Sequence, residues 1–233
     1  MKVISFKICP FVQRVTALLE AKNIPYEIEF ISLSDKPQWF LEISPIGQVP
    51  VLITEGGRAL FESGAIVEYL EEAYPQLQPN LAPEDRAINR AWSSLASKNY
   101  LVQCGAQRSP DREILQERSA KLSQAFDRME SELSGTPHFG GDSLGMVDIA
   151  WLPLLHRADI VQKHSGYDFI GKRPRLKAWQ RQLLDSDLAA RSVAPDFVQA
   201  FSAFYLSDET FLGCGEKVKS GCSGMASPTD SCC

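Results

Sequence analysis

Val3-Ile4-Ser5-Phe6-Lys7-Ile8-Cys9-Pro10-Phe11-Val12 decides how this chain is read. Residues Met1 to Phe6 are short and mostly apolar, the pattern of a buried strand. Beyond them Val15, Leu18 and Leu19 recur at helical spacing. Pro10 suits the first turn of that helix, where its missing N–H loses no hydrogen bond. Cys9 therefore stands at a helix N-terminus. Unpaired backbone N–H groups and the helix dipole favour a thiolate over a thiol at such a place. Val12 occupies the position where a C-x-x-C redox pair carries its second cysteine. A single thiolate here forms a mixed disulfide and leaves its resolution to an outside thiol.

Working outward, strand and helix signals alternate. Residues 26–31 alternate polar and apolar side chains and predict a second strand. Lys36-Pro37-Gln38-Trp39-Phe40-Leu41 predicts a short helix, closed by Ser44-Pro45-Ile46-Gly47. Val49-Pro50-Val51-Leu52-Ile53 is a third strand, and Glu55-Gly56-Gly57 turns it into Ala59-Leu60-Phe61. Ser63 caps a helix that runs to Tyr74 and stops at Pro75. The order is βαβαββα. With a cysteine at the first helix, it predicts a thioredoxin-like sheet over 1–75. Residues 76–83 are rich in Pro, Gln and Asn and read as a linker. The remainder is helical in pattern, with helices predicted over 84–104, 111–134, 146–164, 174–185 and 195–205. The fold class is thus α/β followed by all-α, with a helical domain at 84–206. Residues 207–233, poor in apolar residues, read as a flexible Cys-rich tail.

Composition narrows the function. The chain has 233 residues, 44% hydrophobic and 23% charged, ordinary for a globular protein with real cores. A net charge of −5 argues against nucleic acid as a partner. No apolar run is long enough to span a bilayer, and Lys7 and Pro10 interrupt any leader-like stretch. A reducing, cytoplasmic setting is the expectation. Cys9 and Cys104 lie in the body of the chain, the latter read as helix packing. Cys214, Cys222, Cys232 and Cys233 crowd its end. They fit neither a disulfide framework nor paired zinc spacing, so no metal is expected. A soft-metal thiolate site and a prenylated Cys-Cys terminus rank below incidental thiols.

The chain resembles the glutathione transferase family, and its omega class most of all. Five stretches over residues 1–206 carry the resemblance: Cys9-Pro10-Phe11, Lys36-Pro37-Gln38-Trp39-Phe40, Gln48-Val49-Pro50-Val51-Leu52, Phe61-Glu62-Ser63, and Phe139-Gly140-Gly141-Asp142-Ser143 continuing to Met146-Val147-Asp148. The resemblance implies glutathione as co-substrate, a small electrophile or disulfide as the second substrate, and a homodimer. Glutathione offers an ammonium, a carboxylate, a thiol and a second carboxylate. Glu62 suits the ammonium. Ser63, at a helix start, suits the γ-glutamyl carboxylate. The resemblance implies a cis Pro50, which leaves Val49 to pair strand-like with the peptide. Lys36 suits the glycine carboxylate, and Phe11 and Leu33 flank the site. Each has a structural alternative: a helix-start charge for Glu62, an ordinary cap for Ser63, a surface lysine, and core packing for Phe11 and Leu33. The adjacency of Glu62-Ser63, together with Val49-Pro50, favours the functional reading.

For the second substrate, Arg157 falls where omega-like proteins place a pocket arginine. Tyr100, Leu101 and Leu154 are candidates to line the same space. Helix packing and a surface arginine are equally good readings of these four. Asp148 reads as a folding element, half of a capping box whose usual Ser or Thr is Gly145. The expected activity is glutathione-dependent thiol transfer or reduction, dehydroascorbate included, through a Cys9–glutathione disulfide. The alternative is a redox-responsive or membrane-associating protein resembling the chloride intracellular channels, which share the Cys-Pro-Phe start. A non-catalytic regulator with the same fold is the third reading.

Overall fold

A computed structural model describes residues 1–214. Strand β1 (Lys2–Ser5) leads through a tight turn into α1 (Pro10–Ala21), then β2 (Glu27–Phe30), α2 (Gln38–Ile43), β3 (Val51–Ile53), β4 (Ala59–Phe61) and α3 (Ser63–Ala73). The sheet order is β2-β1-β3-β4. β1 runs parallel to β2 and antiparallel to β3, in the register Val3 opposite Ile28 and Leu52. β3 and β4 form the expected hairpin, with Leu52 opposite Leu60. The two central strands hold the fully buried residues Val3, Ile4, Val51 and Leu52. Apolar burial of this kind contributes about 1.5–3 kcal/mol per side chain. The edge strand β2 differs from its neighbours, since its alternating residues Ile28 and Phe30 stay 39% and 38% exposed. Lys7 Nζ lies 5.6 Å from the Phe30 ring and covers part of it.

The helical part comprises α4 (Pro83–Gln107), α5 (Arg112–Glu132), α6 (Met146–Ser165), α7 (Pro174–Asp185), α8 (Leu188–Arg191), α9 (Phe197–Tyr205) and α10 (Phe211–Cys214). The long α6 is buried on nearly every face, as a central helix must be. Trp151 and Trp179 meet at 6.1 Å, and Phe126 and Phe139 extend that aromatic cluster. At the head of α6 the Asp148 carboxylate accepts from Gly145 N (2.8 Å), Phe139 N (3.0 Å) and Trp179 Nε1 (2.7 Å). Gly145 has no side chain to return the bond, so Asp148 supplies one half of the box and ties α6 to α7 and to the preceding loop.

One expectation needs correcting. Residues 207–214 do not begin a tail. Phe211 N donates to Ser109 O at 2.8 Å, Thr210 Oγ1 to Tyr205 O at 2.9 Å, and Leu212 is buried. The segment is too short to show a periodicity in sequence. Cys222, Cys232 and Cys233, with the metal and prenylation ideas attached to them, lie outside the described residues.

Candidate active site

The β1–α1 turn sets Cys9. Cys9 N donates to Phe6 O at 3.0 Å, and Cys9 O accepts Gln13 N at 3.2 Å. The residue is the N-cap of α1, with extended backbone (φ −72°, ψ 123°), and Pro10 opens the helix. Its Sγ lies 4.0 Å from the carbonyl oxygen of Val49. Val49 in turn precedes a cis peptide to Pro50. Ser44 Oγ accepts Gln48 N (3.1 Å) and donates to Gln48 O (3.0 Å), which fixes the loop leading into that peptide.

Across the same cleft, β4 ends at Phe61 and Glu62 follows as the N-cap of α3. This residue has φ 65° and ψ 112°, a region non-glycine residues avoid. The turn lets Glu62 stay exposed while Ser63 enters α3 and is buried. Ile66 N donates to Glu62 O at 2.9 Å, so the strained residue is held by the helix it starts.

A cavity of about 160 Å³ lies in this cleft, lined by Phe11, Ile46, Gln48, Val49, Pro50, Glu62, Ser63 and Leu101, while Cys9 is buried behind Val49 and is not part of the lining. Five of the glutathione candidates, Phe11, Val49, Pro50, Glu62 and Ser63, thus share one wall system with Leu101 of α4. Lys36 is not among the lining residues; its Nζ lies 3.9 Å from where a side chain would begin on Gly47, between the lining residues Ile46 and Gln48. Leu33 is half-buried on the loop after β2. Ile46 and Gln48 were not singled out by sequence. Gln48 sat inside the Gln48-Val49-Pro50 stretch, and that was the available signal.

The other candidates sit deeper. Tyr100 and Leu154 are fully buried. Phe11 packs edge-on to the Tyr100 ring at 5.0 Å, and the Tyr100 hydroxyl donates to Ala150 O. Burial pushes the Tyr100 phenol up to about 12, so it gives up no proton near neutrality. Arg157 is also fully buried, and it faces the back of the β1–α1 turn rather than open space. Beside it His156 is driven down to about 3 by burial and by the Arg157 charge, and is a neutral ring at neutral pH. Gln13 Nε2 lies 2.9 Å from His156 Nδ1 and donates to Ser192 Oγ at 3.2 Å. The amphipathic reading of α1 assigned Gln13 and Arg14 no role. Both are buried: Gln13 reaches His156 of α6 and Ser192 after α8, and Arg14 lies against α3, its Nη1 4.0 Å from where a side chain on Gly64 would begin.

Comparison with known proteins decides what this cleft belongs to. Residues 3–79 match the glutathione S-transferase N-terminal domain, and residues 112–181 match its C-terminal domain. The chain belongs to the glutathione S-transferase family. Its relatives point to the omega class. The chain is 32% identical over 213 residues to glutathione S-transferase omega-1 of Sus scrofa, covering 89% of this chain and 87% of the relative. It is 34% identical over 158 residues to glutathione S-transferase DHAR2 of Arabidopsis thaliana, covering 67% and 70%. Among solved structures it is similar to glutathione transferase Omega 3C from Trametes versicolor, with TM-score 0.73, 28% identity and coverage of 87% and 89%. It is also similar to a rice transferase solved in complex with glutathione, with TM-score 0.72, 26% identity and coverage of 88% and 97%. Among the described residues no helix is long and apolar enough to cross a membrane, and no group of three or more metal-ligating side chains forms.

Proposed function

We propose that this transferase exchanges thiols through a Cys9–glutathione disulfide. The observation that carries the reading is the position of Cys9 Sγ, at a helix start and 4.0 Å from the main-chain oxygen of Val49, a residue that lines the same cleft as Ser63. Glutathione lies along that cleft. Ser63 and the first N–H groups of α3 hold the γ-glutamyl carboxylate, Glu62 pairs with the ammonium, and the Val49 main chain pairs with the central unit. Lys36 meets the glycine carboxylate at the rim.

Cys9, as a thiolate, attacks the glutathionyl sulfur of a glutathionylated substrate. A Cys9–glutathione disulfide forms, and the substrate thiol leaves as a thiolate that takes a proton from solvent. A second glutathione thiolate attacks the glutathionyl sulfur, Cys9 departs as a thiolate, and glutathione disulfide is released. Reduction of dehydroascorbate uses the same mixed disulfide and oxidises two glutathiones to one glutathione disulfide. Leu101 borders the space left for the second substrate. The working form is a homodimer in the cytoplasm, where glutathione is available to resolve Cys9.

Cys9→Ser tests the reading. A serine hydroxyl stabilises a bound thiolate but forms no disulfide with it. Thiol transfer is expected to fall at least about a thousandfold, the upper end of what loss of one positioned hydrogen bond costs. Glutathione affinity by calorimetry should stay unchanged. Thiol transfer at the native rate in that variant contradicts the mechanism.

A further inference from the structure

We infer that Arg157 is a positioning residue for Cys9, holding from behind the peptide unit that carries the cysteine. This rests on the reading of Cys9 as the nucleophile and adds a residue the cleft itself does not contain. The Ile8 carbonyl and the Cys9 N–H belong to one planar peptide. The N–H end donates to Phe6 O at 3.0 Å. The carbonyl end accepts Arg157 Nη2 at 3.1 Å. With both ends bonded, the plane is not free to rotate, and the direction in which Cys9 leaves it is set. A bond from a guanidinium is charge-assisted and stronger than a neutral one.

The same guanidinium reaches the helix that Cys9 opens. Arg157 Nη1 donates to Gln13 Oε1 and, at 3.1 Å, to Pro153 O of its own helix. Gln13 lies on α1 and is anchored through its amide nitrogen to Ser192 and His156. Arg157 Cζ stands 5.2 Å from the Phe197 ring, and the His156 ring stacks on that same ring at 5.4 Å. So α6, the end of α8 and the start of α9 together grip both the turn before Cys9 and the helix after it. A planar fork serves these three acceptors at once; a lysine ammonium is a point charge on a flexible stem.

Other charged or titratable groups sit on the elements around this turn. Lys7 is paired with Asp196 at 2.6 Å. Arg14 is on α1, Glu62 precedes α3, Tyr100 is on α4 and His156 on α6. Tyr100 and His156 stay neutral near pH 7. Arg157 is therefore the cation that bonds the Cys9 peptide directly.

The test is the pH dependence of Cys9 alkylation by iodoacetamide in the folded full chain, first treated with a phosphine reductant, with the labelled peptide assigned by mass mapping. Arg157→Met is expected to displace the profile and to slow alkylation at about pH 6 roughly tenfold, because the peptide that aims Cys9 is no longer held at its carbonyl end. Arg157→Lys is expected to recover part of the rate but to remain about threefold slow, because one donor group replaces a fork. A purely structural role lowers the melting temperature of both variants and leaves the profile of the folded protein unchanged; that outcome overturns the inference. If the Met variant does not fold, the Lys variant decides alone, and a native profile in it counts against the proposal. Failure of wild-type Cys9 to take up glutathione sinks the thiol-transfer reading instead and leaves the alkylation comparison readable.

Discussion

At the scale of single residues, the site depends on Glu62 being held where a glutamate does not relax. Its φ of 65° implies backbone strain of about 1–3 kcal/mol. Glu62→Gly removes the strain and the carboxylate together. The variant is expected to melt no lower than the parent, while glutathione affinity by calorimetry falls about tenfold, the worth of one charged hydrogen bond. Lower stability with full affinity contradicts both assignments. Ser63→Ala leaves the backbone untouched. It is expected to raise the KM for glutathione by about tenfold, with kcat nearly unchanged, since it loses a ground-state contact. Equal KM values contradict the placement of the γ-glutamyl carboxylate.

At the scale of elements, Asp148 decides whether α6 seats correctly. Asp148→Ala leaves Gly145 N, Phe139 N and Trp179 Nε1 without an acceptor. Each buried orphan costs about 1–3 kcal/mol, so a melting temperature lower by about 10 °C is expected. Glutathione affinity of the folded variant should not change; a tenfold loss places Asp148 in the site instead. The same carboxylate lies 3.7 Å from His138 Nδ1 and holds the His138 pKa above its usual value. A histidine raised on folding stabilises fully below its unfolded pKa, and that contribution is lost as pH rises through the folded value. The difference in melting temperature between the native chain and His138→Gln should therefore shrink as the pH is raised above the ordinary histidine value of about 6.5. A constant difference across that range removes His138 from the ion pair. These bonds explain why the sequence was only partly readable here. Asp148 was legible because its helix-start pattern is local. The short helices α8 and α10 were not, since four residues carry no period, and the exposure of Ile28 and Phe30 follows from the edge position of β2, which alternation cannot reveal.

At the scale of the whole molecule, the two halves of the chain meet at Cys9 from opposite sides. The sheet half contributes the cleft, and its residues were legible because Cys9-Pro10, Val49-Pro50 and Glu62-Ser63 are each short local signatures. The helical half contributes Leu101 to that cleft and Arg157 to the turn behind it. Whether a residue of α4 or α6 faces the cleft or the core depends on how helices 50 residues apart in sequence pack, as the bond from Gln103 to Leu154 illustrates. Periodicity marks both faces of such buried helices as apolar, so Tyr100, Leu154 and Arg157 could not be sorted by pattern. The central claim is that Cys9 carries glutathione, and incubation of the full chain with glutathione disulfide followed by peptide mass mapping tests it most directly. The account predicts one glutathione on Cys9, released by added glutathione; modification confined to other cysteines, with Cys9 unmodified, contradicts it.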